Sequence, residues 1–228
     1  MACLERRLAG LPAGGKAAAR QVLAAAPTLM AQARALPGLA RAGRKTRHHG
    51  DFHLGQVLVC GDDAVLIDFE GEPGRSLAER RALHSPLRDV AGMVRSFDYA
   101  VATILQEAPA ADRALAAARL RAWQDRAVAG FLRGYADGTL AVGETEVSRC
   151  HPRRKRGVTD VVPVGTGHGT APDLTTDPLF RFFLVEKACY ELIYELENRP
   201  AWVAIPLQGL AGLISPPRHP GQGSGARS

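Results

Sequence analysis

The chain has 228 residues, enough for one domain or two small ones and for a sizeable core. Hydrophobic residues at 46% and charged residues at 23% lie near the soluble globular average and exclude wholesale disorder, while 24 Gly and 15 Pro require much loop. No apolar run approaches the roughly 20 residues of a membrane span and no signal-peptide apolar segment opens the chain, so the expectation is a cytoplasmic protein with no membrane partner. The formal charge of +6 is concentrated in one window, RCHPRRKR, where Arg149, Arg153, Arg154, Lys155 and Arg156 stand without an acid. Lacking interleaved aromatics, it reads as solvated loop, and no nucleic-acid partner is expected. Cys3, Cys60, Cys150 and Cys189 form no C-x-x-C pair and read as free thiols.

Residues 15 to 42 predict a helix, with Val22, Leu29, Ala33 and Leu36 near helical spacing until Pro37 and Gly38 stop the pattern. From Val57 the pattern changes to VLVC and AVLIDF, split by Gly61, Asp62 and Asp63, which predicts a hairpin. Ser85 as N-cap and Pro86 at N1 open the next helix, whose Val90, Val94, Phe97, Val101 and Ile104 mark a buried stripe. A further helix is predicted over 112–136, burying Leu115, Leu120, Trp123, Phe131 and Leu132 and ending at Gly138. Residues 138–178, rich in Gly, Pro, Thr and basic residues, predict a mobile insertion. Leu179 to Asn198 is a strong helical pattern, a shorter helix follows Pro200 or Pro206, and residues 216–228 predict a disordered tail.

The chemistry concentrates in HGDFHLGQVLVCGDDAVLIDFEGEP, His49 to Pro73. If Gly61 to Asp63 form a three-residue turn, Val57 opposes Ile67 and Gln56 opposes Asp68, and opposed residues hold their Cβ atoms roughly 4.5–5.5 Å apart. A carboxamide oxygen and a carboxylate so placed can share one hard cation. Asp51, just upstream in a Gly-containing loop, falls near the same end of the hairpin.

This segment resembles the catalytic loop and metal-binding hairpin of the protein-kinase-like phosphotransferases, in the aminoglycoside phosphotransferase branch with its H-G-D-x-H-x-x-N motif, Gln56 standing in place of Asn. More narrowly, HGDFHLGQ, DFEGEP, SPLRDVAGMVRSFDYA and EKACYELIYELENRPAW are similar to the maltokinases, which phosphorylate maltose at its reducing end. The resemblance covers roughly residues 45–136 and 179–213. It implies an α+β, mostly α fold over residues 1–215, the helical C-terminal lobe of a protein-kinase-like fold with a small metal-binding β-hairpin. It implies Asp51 as the base for the acceptor hydroxyl, Gln56 and Asp68 as ligands of Mg2+, and Glu70 as a further metal or water ligand. His49 and His53 would brace the loop, and Arg88 and Asp89 would support it from the next helix. ATP would be the phosphate donor and maltose the acceptor, with a trehalose synthase as a partner by the same resemblance.

Blander readings stand beside these. Asp51 taken singly is a turn residue, though the full motif favours catalysis; Asp89 suits a helix N-terminus by charge alone. Tyr190, Glu191 and Tyr194 read first as the core and solvated face of a helix and second as sugar contacts. Gly10 to Lys16 matches G-x-x-x-x-G-K, but Ala17 replaces the required Ser or Thr and no strand precedes it. His49 and His53 lack the Glu of H-E-x-x-H. The residues before His49 read as helix rather than as the β-rich lobe of a complete kinase-like enzyme. The expectation is therefore a C-terminal lobe alone, its nucleotide-binding lobe missing or separately encoded, or else a catalytically inactive lobe serving as a scaffold.

Overall fold

Helix-forming runs rich in Ala, Leu and Arg and a single stretch of β-branched residues leave one outcome, a mostly helical α+β chain. The computed structural model describes residues 2–11, 13–39, 45–145 and 174–214. The expected tail, 216–228, lies outside the described residues, as do residues 146–173 of the expected insertion. Packing divides the chain into two units, one of Met1–Arg34 with Ala188–Ser228, the other of Ala35–Lys187.

The first unit contains α1 (Ala2–Arg7), most of α2 (Ala13–Leu39), the second half of α6 (Pro178–Asn198) and α7 (Ala204–Ile214). Ala188, Leu192 and Leu196 recur every four residues along α6 and are buried, as are Leu4, Leu11, Ala19, Val22, Val203, Ile205, Leu207 and Leu210. Arg7 donates to the Leu196 carbonyl at 3.2 Å, near the end of α6 where carbonyls lose their intrahelical partners. The helix expected over 15–42 runs from Ala13 to Leu39. Pro37 removes one donor in its last turn without ending it at Leu36. Of the Gly10 to Lys16 match, Gly10 ends a 3-10 turn, Leu8–Gly10, and Ala13 to Lys16 begin α2, with no strand ahead of it among the described residues.

The second unit holds the hairpin, α3 (Leu77–Arg81), α4 (Leu87–Glu107), α5 (Arg113–Thr145) and the start of α6. Strands β1 (Val57–Cys60) and β2 (Asp63–Leu66) pair antiparallel with Val57 opposite Leu66 and Cys60 opposite Asp63. The turn is therefore Gly61–Asp62, two residues and not three. Gly61 at φ +65° takes the first central position of such a turn, where only Gly is unstrained. The register is shifted by one residue from the expected one, so Gln56 faces Ile67, whose N–H donates to the Gln56 carbonyl at 3.1 Å.

Helix α4 buries Val90, Ala91, Met93, Phe97 and Val101 as its core stripe, with Gly92 and Arg95 also buried. Ile104, expected inside, is 48% exposed. Helix α5 continues through Gly138, since an isolated helical Gly costs only about 1 kcal/mol relative to Ala. Of its expected buried side, Leu132 is enclosed, whereas Leu115 and Trp123 stay exposed. Trp123 still meets Phe97 edge-on at 5.9 Å, and Asp98 accepts from both Arg95 and Gln124, tying α4 to α5. Ser76 and Glu79 form a reciprocal capping box at the start of α3, a helix the hydrophobic pattern did not announce.

Candidate active site

One face of α4 carries the loop that precedes the hairpin. Asp89 in its first turn accepts from the His49 N–H at 2.6 Å and the Gly50 N–H at 2.9 Å, one carboxylate oxygen to each. Three residues on, Gly92 lies so close beneath the loop that a Cβ there would stand 2.7 Å from the Phe52 carbonyl oxygen. Four further on, the Ser96 hydroxyl accepts from the Leu54 N–H at 3.1 Å. Positions 89, 92 and 96 share a helical face, so a single stripe of polar and small residues holds the whole of His49 to Leu54. Upstream, Thr46 and His84 exchange two backbone hydrogen bonds of 2.8 and 3.1 Å, which fixes where the loop leaves.

The loop's own residues complete it. Gly50, at φ +87°, approaches Gly71 so closely that a Cβ on Gly50 would lie 2.9 Å from the Gly71 Cα. Buried His49 donates through Nε2 to the Ile67 carbonyl at 2.7 Å and accepts at Nδ1 from the Asp51 N–H at 3.4 Å, one tautomer serving both. Its ring stands 5.4 Å from that of Phe52 and 4.7 Å from that of Phe69. His53 accepts at Nδ1 from the Gly55 N–H at 3.1 Å, and its Nε2 lies 4.0 Å from Asp51 Oδ2.

Despite the shifted register, Gln56 and Asp68 meet. Asp68 leaves the strand at φ +62°, a left-handed conformation that Asp tolerates better than most residues. Gln56 Nε2 donates to Asp68 Oδ2 at 2.9 Å. Rotating that carboxamide by half a turn presents Oε1 beside the carboxylate, and two hard oxygen donors of this kind suit Mg2+, which binds through few protein groups and keeps room for water and phosphate. Glu70 lies in the exposed segment beyond, its carbonyl accepting from Arg80 at 3.4 Å. Among the described residues no group of three or more His, Cys, Asp or Glu forms a metal cage.

Behind Asp51 runs a chain of ion pairs whose partners local sequence does not reveal. Lys187 on α6 donates to Asp51 Oδ1 at 3.3 Å and to Glu72 Oε1. Glu72, 4% exposed, also accepts from Arg75 at 2.9 Å, and Arg75 reaches Glu186 at 3.1 Å, where Arg88 binds the same oxygen. The local signals were present: Glu72 lies in DFEGEP, and Glu186 and Lys187 interrupt the apolar run FFLV before ACYELI. Arg88 thus acts on Glu186, while Asp89 alone of the pair bonds the loop. Tyr190, Glu191 and Tyr194 lie on α6 in the other unit; Glu191 is buried, and Tyr194 is 45% exposed with the Arg199 guanidinium 5.3 Å from its ring centroid.

His48 and His84 meet edge to face, 5.0 Å between centroids, at the entrance to the loop. Burial pushes both imidazoles below their ordinary value; Arg88 and Arg75 add to this, while Asp89 pulls His48 the other way. Because the folded state resists protonation, the unfolded chain binds more protons as pH falls below about 6.5, and stability falls with it. Melting temperature is expected to drop between pH 7.5 and pH 5.5, and His84→Gln is expected to flatten that slope. A slope unchanged by His84→Gln would mean that other groups govern it.

No protein-family model matches the chain. Two curated relatives are glucosamine kinases: one from Streptacidiphilus jiangxiensis, 27% identical over 166 residues, covering 73% of this chain and 31% of the relative. The other, from Mycolicibacterium smegmatis (strain ATCC 700084 / mc(2)155), is 29% identical over 168 residues, covering 73% and 34%. The chain thus spans about a third of the length of the curated relatives it matches. Among solved structures, a glucosamine kinase in complex with glucosamine, ADP and inorganic phosphate aligns with TM-score 0.67 at 23% identity, over 93% of this chain and 42% of that one. A second crystal form of glucosamine kinase gives 0.67 at 24%, over 93% and 44%. These relatives are named for glucosamine and not for maltose. The chain is similar in sequence to sugar kinases and has the fold of part of a glucosamine kinase.

Proposed function

We propose that this chain carries the acceptor-activating and metal-holding part of an ATP-dependent sugar kinase. The observation that supports it most is His53 standing between Asp51 and the hydrogen-bonded pair Gln56 and Asp68: its Nε2 lies 4.0 Å from Asp51 Oδ2 and 3.5 Å from Gln56 Nε2, on a loop that Asp89 ties to α4. Asp51 accepts the proton of the sugar hydroxyl as its oxygen bonds to the γ-phosphorus and the bond to the ADP oxygen breaks. Gln56 and Asp68, with Glu70 as a further carboxylate on the same segment, would hold Mg2+, which when bound neutralises phosphate charge. In phosphoryl transfer, positioning and charge neutralisation supply most of the rate. Asp89 keeps the loop still, and His49 and His53 flank the base.

Glucosamine is the first acceptor by likeness to the named relatives, and the ADP of the aligned structure supports ATP as donor. Maltose, giving maltose 1-phosphate, is the second, favoured by HGDFHLGQ, DFEGEP and EKACYELIYELENRPAW. The test is ADP formation with ATP and Mg2+ against glucosamine, maltose and no sugar. It is run on the chain alone and on the chain fused to the part of the M. smegmatis relative that the match does not cover. Sugar-dependent turnover in the fusion, and little or none by the chain alone, is the expected result. Binding without turnover in either form would favour the inactive scaffold instead.

A further inference from the structure

We infer that Lys187, anchored by Glu72, is a positioning residue for Asp51 that occupies Oδ1 and leaves Oδ2 as the oxygen offered to the acceptor. The catalytic half of this inference rests on the sugar-kinase reading; the contact itself does not. Lys187 Nζ lies 3.3 Å from Asp51 Oδ1 and also bonds Glu72 Oε1, so one ammonium is shared by two carboxylates. Their environments differ. The Glu72 side chain is 5% exposed and is held from its other oxygen by Arg75, whereas the Asp51 side chain is 26% exposed. A buried, doubly paired carboxylate is the fixed end of the bridge, and the more open one is what the bridge adjusts. Oδ2 faces His53 Nε2 at 4.0 Å, too far for a hydrogen bond. That oxygen is the more open of the two to a hydroxyl proton, since Oδ1 already accepts from Lys187.

A lysine suits this better than an arginine. An ammonium is a compact charge with three rotatable donors and can satisfy two carboxylates at different angles, whereas a guanidinium imposes a planar fork. The bridge also explains why a charged pair, Glu186 and Lys187, interrupts an otherwise apolar stretch of α6: Glu186 takes Arg75 and Arg88, and Lys187 takes Glu72 and Asp51.

The contact is tested by melting four forms of the chain: wild type, Asp51→Asn, Lys187→Met and the double variant. With Lys187 present, Asp51→Asn removes an ion pair and should leave the melting temperature unchanged or lower. With Lys187→Met, Asp51 and Glu72 face each other without their cation, and Asp51→Asn should raise it by about 2–4 °C, the shift typical of a modest stabilisation in a chain of this size. The same effect of Asp51→Asn in both backgrounds would overturn the inference. In the form that turns over sugar, Lys187→Met should lower kcat by about 10²-fold with little change in the KM for ATP, and Lys187→Arg should restore part of the loss. Adding Lys187→Met to Asp51→Asn should cost little more. A Lys187→Met enzyme with undiminished kcat would refute the positioning role, and so would fully multiplicative losses in the double variant. Absence of turnover in wild type alongside the sign reversal in melting would count against the kinase reading while upholding the clamp.

Discussion

Asp51→Asn is expected to lower sugar-dependent ADP formation by roughly 10²-fold or more, the usual loss when a positioned general base is removed. The substitution preserves volume and can still accept from Lys187 through its carboxamide oxygen, so the loop should keep its shape while its proton acceptor disappears. Added Mg2+ should not restore activity. Asp68→Ala provides the contrast, since it removes an oxygen donor beside Gln56 and should be partly relieved by excess Mg2+. Initial rates of each variant across a Mg2+ titration separate the two. Unchanged turnover in Asp51→Asn would remove Asp51 from the chemistry, and relief of Asp51→Asn by Mg2+ would move it to the metal instead.

The second large effect belongs to Asp89. Its carboxylate is bonded by two consecutive backbone amides, and hydrogen bonds to a charged group are worth about 1.5–3 kcal/mol each. Asp89→Ala would strand both amides and also remove an acid from the first turn of α4, where negative charge favours the helix dipole. A loss of about 3 kcal/mol, or about 6–12 °C in melting temperature, is the expected result. Turnover should fall as well, because the loop carrying Asp51 would lose its anchor on the helix. Asp89→Asn keeps one acceptor oxygen and should lie between. Thermal melts and rates on the three forms check this, and an Asp89→Ala protein that melts like wild type would show that Gly92 and Ser96 hold the loop without it.

The shifted hairpin register shows what local reading can and cannot reach. The strands, the Gly-containing turn and the nearness of Gln56 to Asp68 were legible, because each depends on residues within one short segment. The turn length was not. Gly61, Asp62 and Asp63 permit a two- or a three-residue turn, and the difference moves every partner by one. Asp68 reaches Gln56 anyway because it departs from strand geometry, at φ +62°, which no alternation rule anticipates. Leu115 and Trp123 make the same point in packing: their helical spacing is sound, but only the placement of α4 decides which part of α5 is covered.

By itself the sequence determined the helical patterns, the hairpin and the short segment that places Asp51, Gln56 and Asp68 near one another, since spacing along one chain suffices for each, whereas Asp89 as a support of the loop came from the family resemblance. Only the tertiary structure decided that Lys187, 136 residues from Asp51, shares its ammonium between Asp51 and Glu72, and that Arg75, Glu186 and Arg88 continue the network. A charge in a sequence has no direction. Burial selects its partner, because an ion taken out of water is tolerated only where an opposite charge from another part of the chain already waits.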